Sequence, residues 1–194
     1  MAVAIVMCVV FYFRPGEPLG LRACQLVPPL AGGRAFQRRW ALVQRPMELG
    51  RPSKTNRWGD SRMLDLDDRQ FLAPVLARLR GPGEGSERKL FGFDYPTWAR
   101  EHRRASLGLG LGPVGPPTLH GLRRAGACLG CALGRRAVLE IKHRGNWAAP
   151  NPVRRYQKAG RLVEQLHQLS PGARQAALQC AAQIGGILAG RWLS

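Results

Sequence analysis

The chain has 194 residues, a length that one ordinary domain of ~100–200 residues would fill. Its 30 Lys and Arg side chains against 12 Asp and Glu give a formal charge of +18, which favours a polyanionic partner, nucleic acid first and an acidic membrane surface second. Five cysteines are too few for a disulfide framework in a chain of this length, so we expect free thiols and a reducing compartment.

An apolar run over residues 1–13 opens the chain. It is shorter than the ~20 residues that a membrane span needs, and it lacks the basic start and cleavage site of a signal peptide. The run predicts a buried helix, and a cryptic signal segment is the alternative. Residues 16–27 follow, with Leu19, Leu21 and Leu26 at helical spacing, and predict a second helix.

A small β-hairpin is predicted next. Residues 38–44 have a strand pattern, and residues 51–66 form a turn and a second strand, so the two should pair in antiparallel fashion. Asp67 or Asp68 is then placed to cap a helix over residues 69–80.

Residues 95–108 predict a helix with a proline near its first turn. Its arginines at positions 100, 103 and 104 either follow a DNA backbone or form a solvated helix face. Residues 107–117 form a Gly- and Pro-rich connector that contains a G-x-G-x-x-G pattern. No strand precedes this pattern and two prolines follow it, so we interpret it as a loop and not as a dinucleotide site.

Helical segments are predicted over residues 120–133, 136–144 and 153–169, and Ser170 and Pro171 should cap a last helix. The apolar face of this last helix packs on its own domain or docks on a neighbouring copy. The chain is therefore predicted to be mostly α with a small antiparallel β-sheet, an α+β class, with one domain over residues 1–169 and a C-terminal helix in residues 170–194.

Four residues after the connector suit chemistry on a phosphodiester. His120 and Arg123 are three residues apart, Trp147 follows 24 residues later, and Tyr156 nine residues after that. Tyrosine has a reference pKa of ~10, so it needs a base or a positive field to act as a nucleophile. His120 is a suitable base, Arg123 can bind phosphate oxygens, and the indole N–H of Trp147 can donate to one.

With these residues the chain resembles the catalytic domain of the tyrosine recombinases, or phage integrases. The second motif of that family is His-x-x-Arg, matched by His120 and Arg123. A His or Trp follows about two dozen residues later, matched by Trp147, and the nucleophilic tyrosine comes about nine further on, matched by Tyr156.

Two further segments carry the resemblance. The first motif of the family is an arginine that opens a helix with a glutamate three residues later, matched by Arg14 and Glu17. Glu17 is expected to orient Arg14 or to cap the helix. The family also places a lysine on a β-hairpin turn, and Lys54 matches it more loosely. Arg14 and Arg123 would clamp the phosphate, and Lys54 would protonate the departing 5′ oxygen.

The resemblance implies double-stranded DNA as the partner and a covalent 3′-phosphotyrosine intermediate. It implies no metal, no small-molecule cofactor and no membrane, a homo-oligomer assembled on DNA, and an intracellular location wherever the host DNA lies. The N-terminal DNA-clamping domain of the family is expected to be missing, so that the catalytic domain is truncated.

Two other readings stay open. One is a catalytically inactive DNA-binding remnant of a recombinase, and the other is a basic RNA- or ribosome-associated protein. The Cys128–x–x–Cys131 pair has no second ligand pair at a suitable spacing, so we expect burial and not zinc binding.

Overall fold

A computed structural model describes residues 1–44, 60–65, 67–82, 86–115, 117–148 and 159–191. The chain forms two compact units: unit 1 contains Met1–Gly16 and Phe93–Ser194, and unit 2 contains Glu17–Gly92. The described residues are mostly helical with one small antiparallel sheet, which confirms the predicted α+β class. The predicted domain boundary at residue 169 stays a prediction.

The helices of the described residues are, in chain order, α1 (Ala2–Phe11), α2 (Gly16–Gly20), α3 (Ala73–Arg80), α4 (Tyr95–Gly108), α5 (Leu119–Ala132), α6 (Val138–Arg144), α7 (Ala159–His167), α8 (Pro171–Ala182) and α9 (Ile184–Leu188). Short 3₁₀ helices cover Ala23–Gln25, Asp67–Leu72 and Gly112–Val114. The strands are β1 (Leu26–Val27), β2 (Ala41–Gln44) and β3 (Asp60–Met63).

Helix α1 is the buried helix that the apolar run predicted. Ala4, Met7, Cys8 and Phe11 are fully buried, and their spacing of three and four residues places them on one face of the helix. This helix packs against α5 within unit 1. No helix among the described residues is long and apolar enough to cross a membrane.

Two glycines of α5 let α1 and α5 approach closely. A Cβ on Gly126 would lie 2.8 Å from the carbonyl carbon of Val9 and 3.0 Å from the ring of Tyr12. A Cβ on Gly130, one helical turn later, would strike the Tyr12 hydroxyl. Because the obstacle at Gly126 is backbone, which no rotamer change can move aside, the contact requires glycine at this position.

We expect Gly126→Ala to lower the free energy of unfolding by about 1–3 kcal/mol, because the new methyl group must push the two helices apart. Chemical denaturation measures this change. The matched control on the same helix is Gly121→Ala, whose Cβ would meet nothing closer than Thr118 Oγ1 at 3.6 Å. The control should leave stability unchanged or raise it by up to ~1 kcal/mol. Equal losses in the two variants would contradict the close packing.

The helices at the centre of unit 1 begin at side-chain caps. The Thr97 amide donates to Asp94 Oδ1 at 2.9 Å. Hydrogen bonds from the side chain and the backbone of Thr97 hold the pKa of Asp94 below its usual value. Thr118 Oγ1 accepts from the Gly121 amide at 3.2 Å at the start of α5. The prediction of a helix over residues 95–108 is therefore confirmed at both ends.

The connector after α4 takes its shape from its glycines. Gly110 and Gly115 have φ of +70° and +111°, values that favour glycine. A 3₁₀ turn at Gly112–Val114 stands where a phosphate-binding helix would have to begin. The interpretation of the G-x-G-x-x-G pattern as a loop fits this geometry.

The C-terminal helices differ from the prediction in one respect. Ser170 caps α8 as expected, with its hydroxyl accepting from the Ala173 amide at 3.1 Å. The prediction of a single helix beyond this point is wrong, because α8 ends at Ala182 and a separate helix, α9, begins at Ile184. Gly185 and Gly186 follow the break and weaken helix propensity there. Of the helix predicted over residues 153–169, the structure describes α7 and the few residues after it.

Unit 2 holds the sheet, in the order β1-β2-β3 with antiparallel neighbours. Leu42 of β2 pairs with Leu26 on one side and Arg62 on the other. The predicted antiparallel pairing of segments 38–44 and 51–66 is confirmed, and the turn between them lies outside the described residues.

Two helix predictions in unit 2 need correction. Residues 16–27 do not form one helix, because α2 ends at Gly20 and Leu26–Val27 pairs with β2, which buries Leu26. The helix predicted from residue 69 begins at Ala73 after a 3₁₀ turn, so Leu72 occupies the cap position in place of Asp67 or Asp68.

A buried ion pair joins α2 to the sheet within unit 2. Arg62 on β3 has a side chain only 3% exposed, and its guanidinium lies 3.4 Å from Glu17 Oε2 and 3.3 Å from Gln44 Oε1. The sequence interpretation assigned Glu17 to orient Arg14 or to cap a helix. The described contacts add a different role, neutralising an arginine inside the sheet.

Removing the carboxylate that pairs with this buried arginine should therefore be costly. We expect Glu17→Ala to lower the free energy of unfolding by about 3 kcal/mol, since it removes a carboxylate partner of a guanidinium that is only 3% exposed. Glu87→Ala is the matched control, because Glu87 pairs with Arg22 at 3.3 Å and its side chain is 74% exposed. That surface pair should contribute less than ~1 kcal/mol. Urea denaturation measures the change in the free energy of unfolding for both variants. Similar losses would contradict a larger contribution from the pair that contains the buried Arg62.

Candidate functional site

The structure places four of the six predicted site residues in unit 1. These are Arg14, His120, Arg123 and Trp147. The other two, Lys54 and Tyr156, lie outside the described residues, so their predicted roles stay predictions.

Arg123 and Trp147 are in direct contact. The guanidinium carbon of Arg123 lies 4.3 Å from the centroid of the Trp147 ring, a cation–π geometry. The same guanidinium donates a hydrogen bond to the Gly145 carbonyl. Arg123 is only 5% exposed, so both interactions form in the interior of unit 1 and fix the direction of the guanidinium.

The corner after α6 is shaped to receive this arginine. Gly145 ends the helix, and a Cβ there would overlap the ring of Trp147. Asn146 follows with φ of +50°, a left-handed conformation that Asn tolerates better than most residues. The Trp147 amide then donates to the Lys142 carbonyl at 3.0 Å. The Arg-Gly-Asn-Trp sequence therefore lets the indole fold back over the end of its own helix.

Tyr12 connects the Arg14 segment to this corner. Its ring centroid is 6.4 Å from that of Trp147, and Tyr12 is 3% exposed. It ends α1 in a left-handed conformation with φ of +55°. Arg14 follows two residues later, so its Cα lies within ~7 Å of the Tyr12 Cα. Arg14 is half-buried. Arg14, the arginine of the first motif, is thus two residues from Tyr12, whose ring contacts Trp147 of the later motif.

Sequence reasoning missed Arg144, which holds the end of α1. Its Nε and a terminal nitrogen donate to the Val10 carbonyl at 3.4 Å and 3.3 Å. Its guanidinium carbon lies 5.6 Å from the Phe11 ring centroid and 5.8 Å from that of Tyr12. A cation at a helix C-terminus is stabilised by the helix dipole. Because its partner is 134 residues away, no local pattern could indicate this role.

His120 lies at the surface of unit 1. It is exposed in the first turn of α5, three residues before Arg123 and so on the same side of the helix. Its position leaves the imidazole accessible to a ligand or to solvent. This contrasts with Arg123, whose guanidinium is inside the unit.

The charge of the chain is concentrated in unit 1. This unit contains 16 Lys and Arg against four Asp and Glu, a formal charge of +12 out of +18. Among the described residues no group of three His, Cys, Asp or Glu is arranged to hold a metal ion. Cys131 packs against the buried cluster of Tyr12, Ala127 and Ile141.

Comparisons with known proteins leave the function to be argued from the chain itself. No family model, curated protein or solved structure matches it. The residues, contacts and charges described above are therefore the basis of the functional argument.

Arg123→Met should lower the free energy of unfolding by about 2–4 kcal/mol, because it removes a charge-assisted hydrogen bond and a desolvated cation–π contact. Chemical denaturation measures the change, and the near-ultraviolet circular dichroism of the Trp147 environment should change with it. Arg124→Met is the control, since Arg124 is the exposed neighbour on the same helix. Its effect should stay within ~0.5 kcal/mol. A neutral Arg123→Met would contradict the buried interactions.

Proposed function

We propose that this chain cleaves and rejoins DNA strands as a tyrosine recombinase, through a covalent 3′-phosphotyrosine intermediate. One observation carries the proposal. The Tyr12–Trp147 and Arg123–Trp147 contacts gather, in unit 1, the segments of Arg14, of Trp147, and of His120 with Arg123. These segments are far apart in the sequence, and all of them carry motifs of the family resemblance. Contacts with the Trp147 indole connect them.

In the proposed reaction the Tyr156 oxygen attacks the scissile phosphorus and the bond to the 5′ oxygen breaks. The phenol proton passes to His120, which is exposed in the first turn of α5. The departing 5′ oxygen takes a proton from Lys54. Rejoining reverses these steps, with the 5′ hydroxyl attacking the phosphotyrosine. Bond energy is conserved in the intermediate, so the chemistry needs neither ATP nor a metal.

Charge supports DNA as the substrate. The formal +12 of unit 1 would attract a phosphate backbone over a long range at low ionic strength. Arg14, half-buried beside Tyr12, would bind the non-bridging oxygens as negative charge builds up on them. Assembly of several copies on DNA belongs to the same proposal.

A second candidate is a DNA-binding module that does not cleave. The burial of Arg123 favours it, because a phosphate clamp needs guanidinium N–H groups that face the ligand. Arg123 is 5% exposed, donates to Gly145 and stacks on Trp147. In this reading Arg123 stabilises the fold, and the basic surface of unit 1 binds the duplex.

A nicked suicide substrate separates the two candidates. A pool of nicked duplexes covers unknown target sites, and wild-type protein should form a covalent adduct that survives denaturing electrophoresis. Tyr156→Phe should abolish the adduct because the attacking oxygen is gone. Tyr95→Phe, which alters an exposed tyrosine at the start of α4, should leave it intact.

Each outcome decides between the candidates. An adduct that persists in Tyr156→Phe would refute the assigned nucleophile. Retention of DNA on a filter without any adduct would support the non-cleaving module. Failure to retain duplex DNA, with RNA retained instead, would refute both.

A further inference from the structure

We infer that the outward face of α4 binds the phosphate backbone of duplex DNA, separately from the catalytic residues. We call this surface the α4 arginine face; it consists of Arg100, Arg103 and Arg104. The inference rests on the proposed function for the identity of the polyanion. The presence of the face itself follows from the geometry of one helix.

The arginines lie opposite the buried side of α4. Trp98 is fully buried, Ser106 is 6% exposed and His102 is half-buried. Burial lowers the pKa of His102, as expected for an imidazole on the inner side of a helix. At 3.6 residues per turn, Arg100, Arg103 and Arg104 are centred about half a turn away from these three residues.

The outward side chains are open to a ligand. Those of Arg100 and Arg104 are 69% and 81% exposed, and Arg103 is exposed as well. Their helix is fixed from within by Trp98, which packs edge-on against Phe93 at 5.8 Å between ring centroids. The three guanidiniums therefore project from a rigid support, and little backbone freedom would be lost on binding.

Glu101 sets the starting positions of two of these arginines. Its carboxylate lies 2.7 Å from an Arg104 nitrogen and 3.5 Å from Arg100 Nε, and its side chain is 28% exposed. Ion pairs between exposed side chains are weak, so a phosphate can replace the carboxylate as the partner. With three arginines and one glutamate, the face retains a net charge of +2.

The spacing suits successive phosphates of one strand. Arg100 and Arg104 are about 6 Å apart along the helix axis, because each residue rises ~1.5 Å. One strand of duplex DNA advances ~3.4 Å along its axis per phosphate, so a span of about 6 Å covers nearly two steps and the face can contact two phosphates of one strand. Guanidiniums bind phosphate oxygens in pairs, which favours arginine over lysine here.

Other occupants fit this face less well. Stacking of single-stranded bases needs exposed aromatic rings, and the exposed aromatic of α4, Tyr95, lies on the side of Trp98 and His102, away from the three arginines. Insertion into a membrane needs a broad apolar face, which Leu107 alone does not supply. Backbone contacts to a duplex need only the guanidiniums.

The test compares two variants that each remove three positive charges. One carries Arg100→Gln, Arg103→Gln and Arg104→Gln; the control carries Arg34→Gln, Arg78→Gln and Lys89→Gln, all exposed positions of unit 2. Fluorescence anisotropy measures binding of a 30-bp duplex from ~50 to 200 mM salt. The α4 variant should bind at least tenfold more weakly, with a salt slope smaller by about two. The control should stay within about twofold of wild type.

Glu101→Gln should change the affinity for duplex DNA in the opposite direction. Removing the carboxylate frees Arg100 and Arg104 for phosphate, so affinity should rise about two- to fivefold. Equal weakening by the two triple variants, or no gain in Glu101→Gln, would overturn the proposal, as would tighter binding of duplex RNA through the same arginines. Circular dichroism melting of each variant checks that folding is unchanged.

This outcome is independent of cleavage. In a Tyr156→Phe background, substitution of the three α4 arginines should weaken duplex binding by the same factor as in wild type. An absent adduct with intact α4-dependent binding would refute the recombinase reaction alone. An adduct formed without any α4 dependence would refute this inference alone.

Discussion

The close approach of α1 and α5 is the constraint on which the rest of unit 1 depends. Because Gly126 and Gly130 have no side chains, the last turn of α1 lies against the α5 backbone. Tyr12 can then turn into the interior and meet Trp147. With larger residues at these two positions, the Arg14 segment and the α6 corner could not share one buried cluster.

The cluster places charge in an apolar setting, where backbone carbonyls and aromatic rings stabilise it. Arg123 is bound by a carbonyl and an indole face, and Arg144 by another carbonyl and two aromatic rings. Neither of these described contacts uses a carboxylate. In unit 2, by contrast, the buried Arg62 is paired with the Glu17 carboxylate.

What the sequence predicted well depended on local chemistry. Helix α4 was predicted at both ends because Pro96 and the Gly- and Pro-rich connector from residue 107 act within a few residues of each boundary. The strand at Leu26–Val27 was missed because its partner β2 lies fifteen residues away and its apolar spacing also fits a helix. The break near Gln183 was missed because the alanines before it and Ile184 and Leu188 after it continue one apolar helical face.

The candidate site was predictable in its residue types and not in its contacts. Motif spacing selected Arg123 and Trp147, and the structure brings them together. Nothing in that spacing indicated that Arg123 would be buried, since burial arises from the Gly145 corner and from α1. The role of Arg144 depends on a helix at the opposite end of the chain, beyond the reach of any local pattern.

The long stretch of sequence between α1 and α5 also has a consequence during synthesis. Unit 1 is discontinuous in sequence, and α5 begins at Leu119, more than a hundred residues after α1. At the usual rates of translation, on the order of ten seconds pass between the synthesis of α1 and that of Gly126 and Gly130, against which it packs. During that interval the helix is exposed to other chains and to chaperones, so the yield of folded protein depends on how the nascent chain is protected.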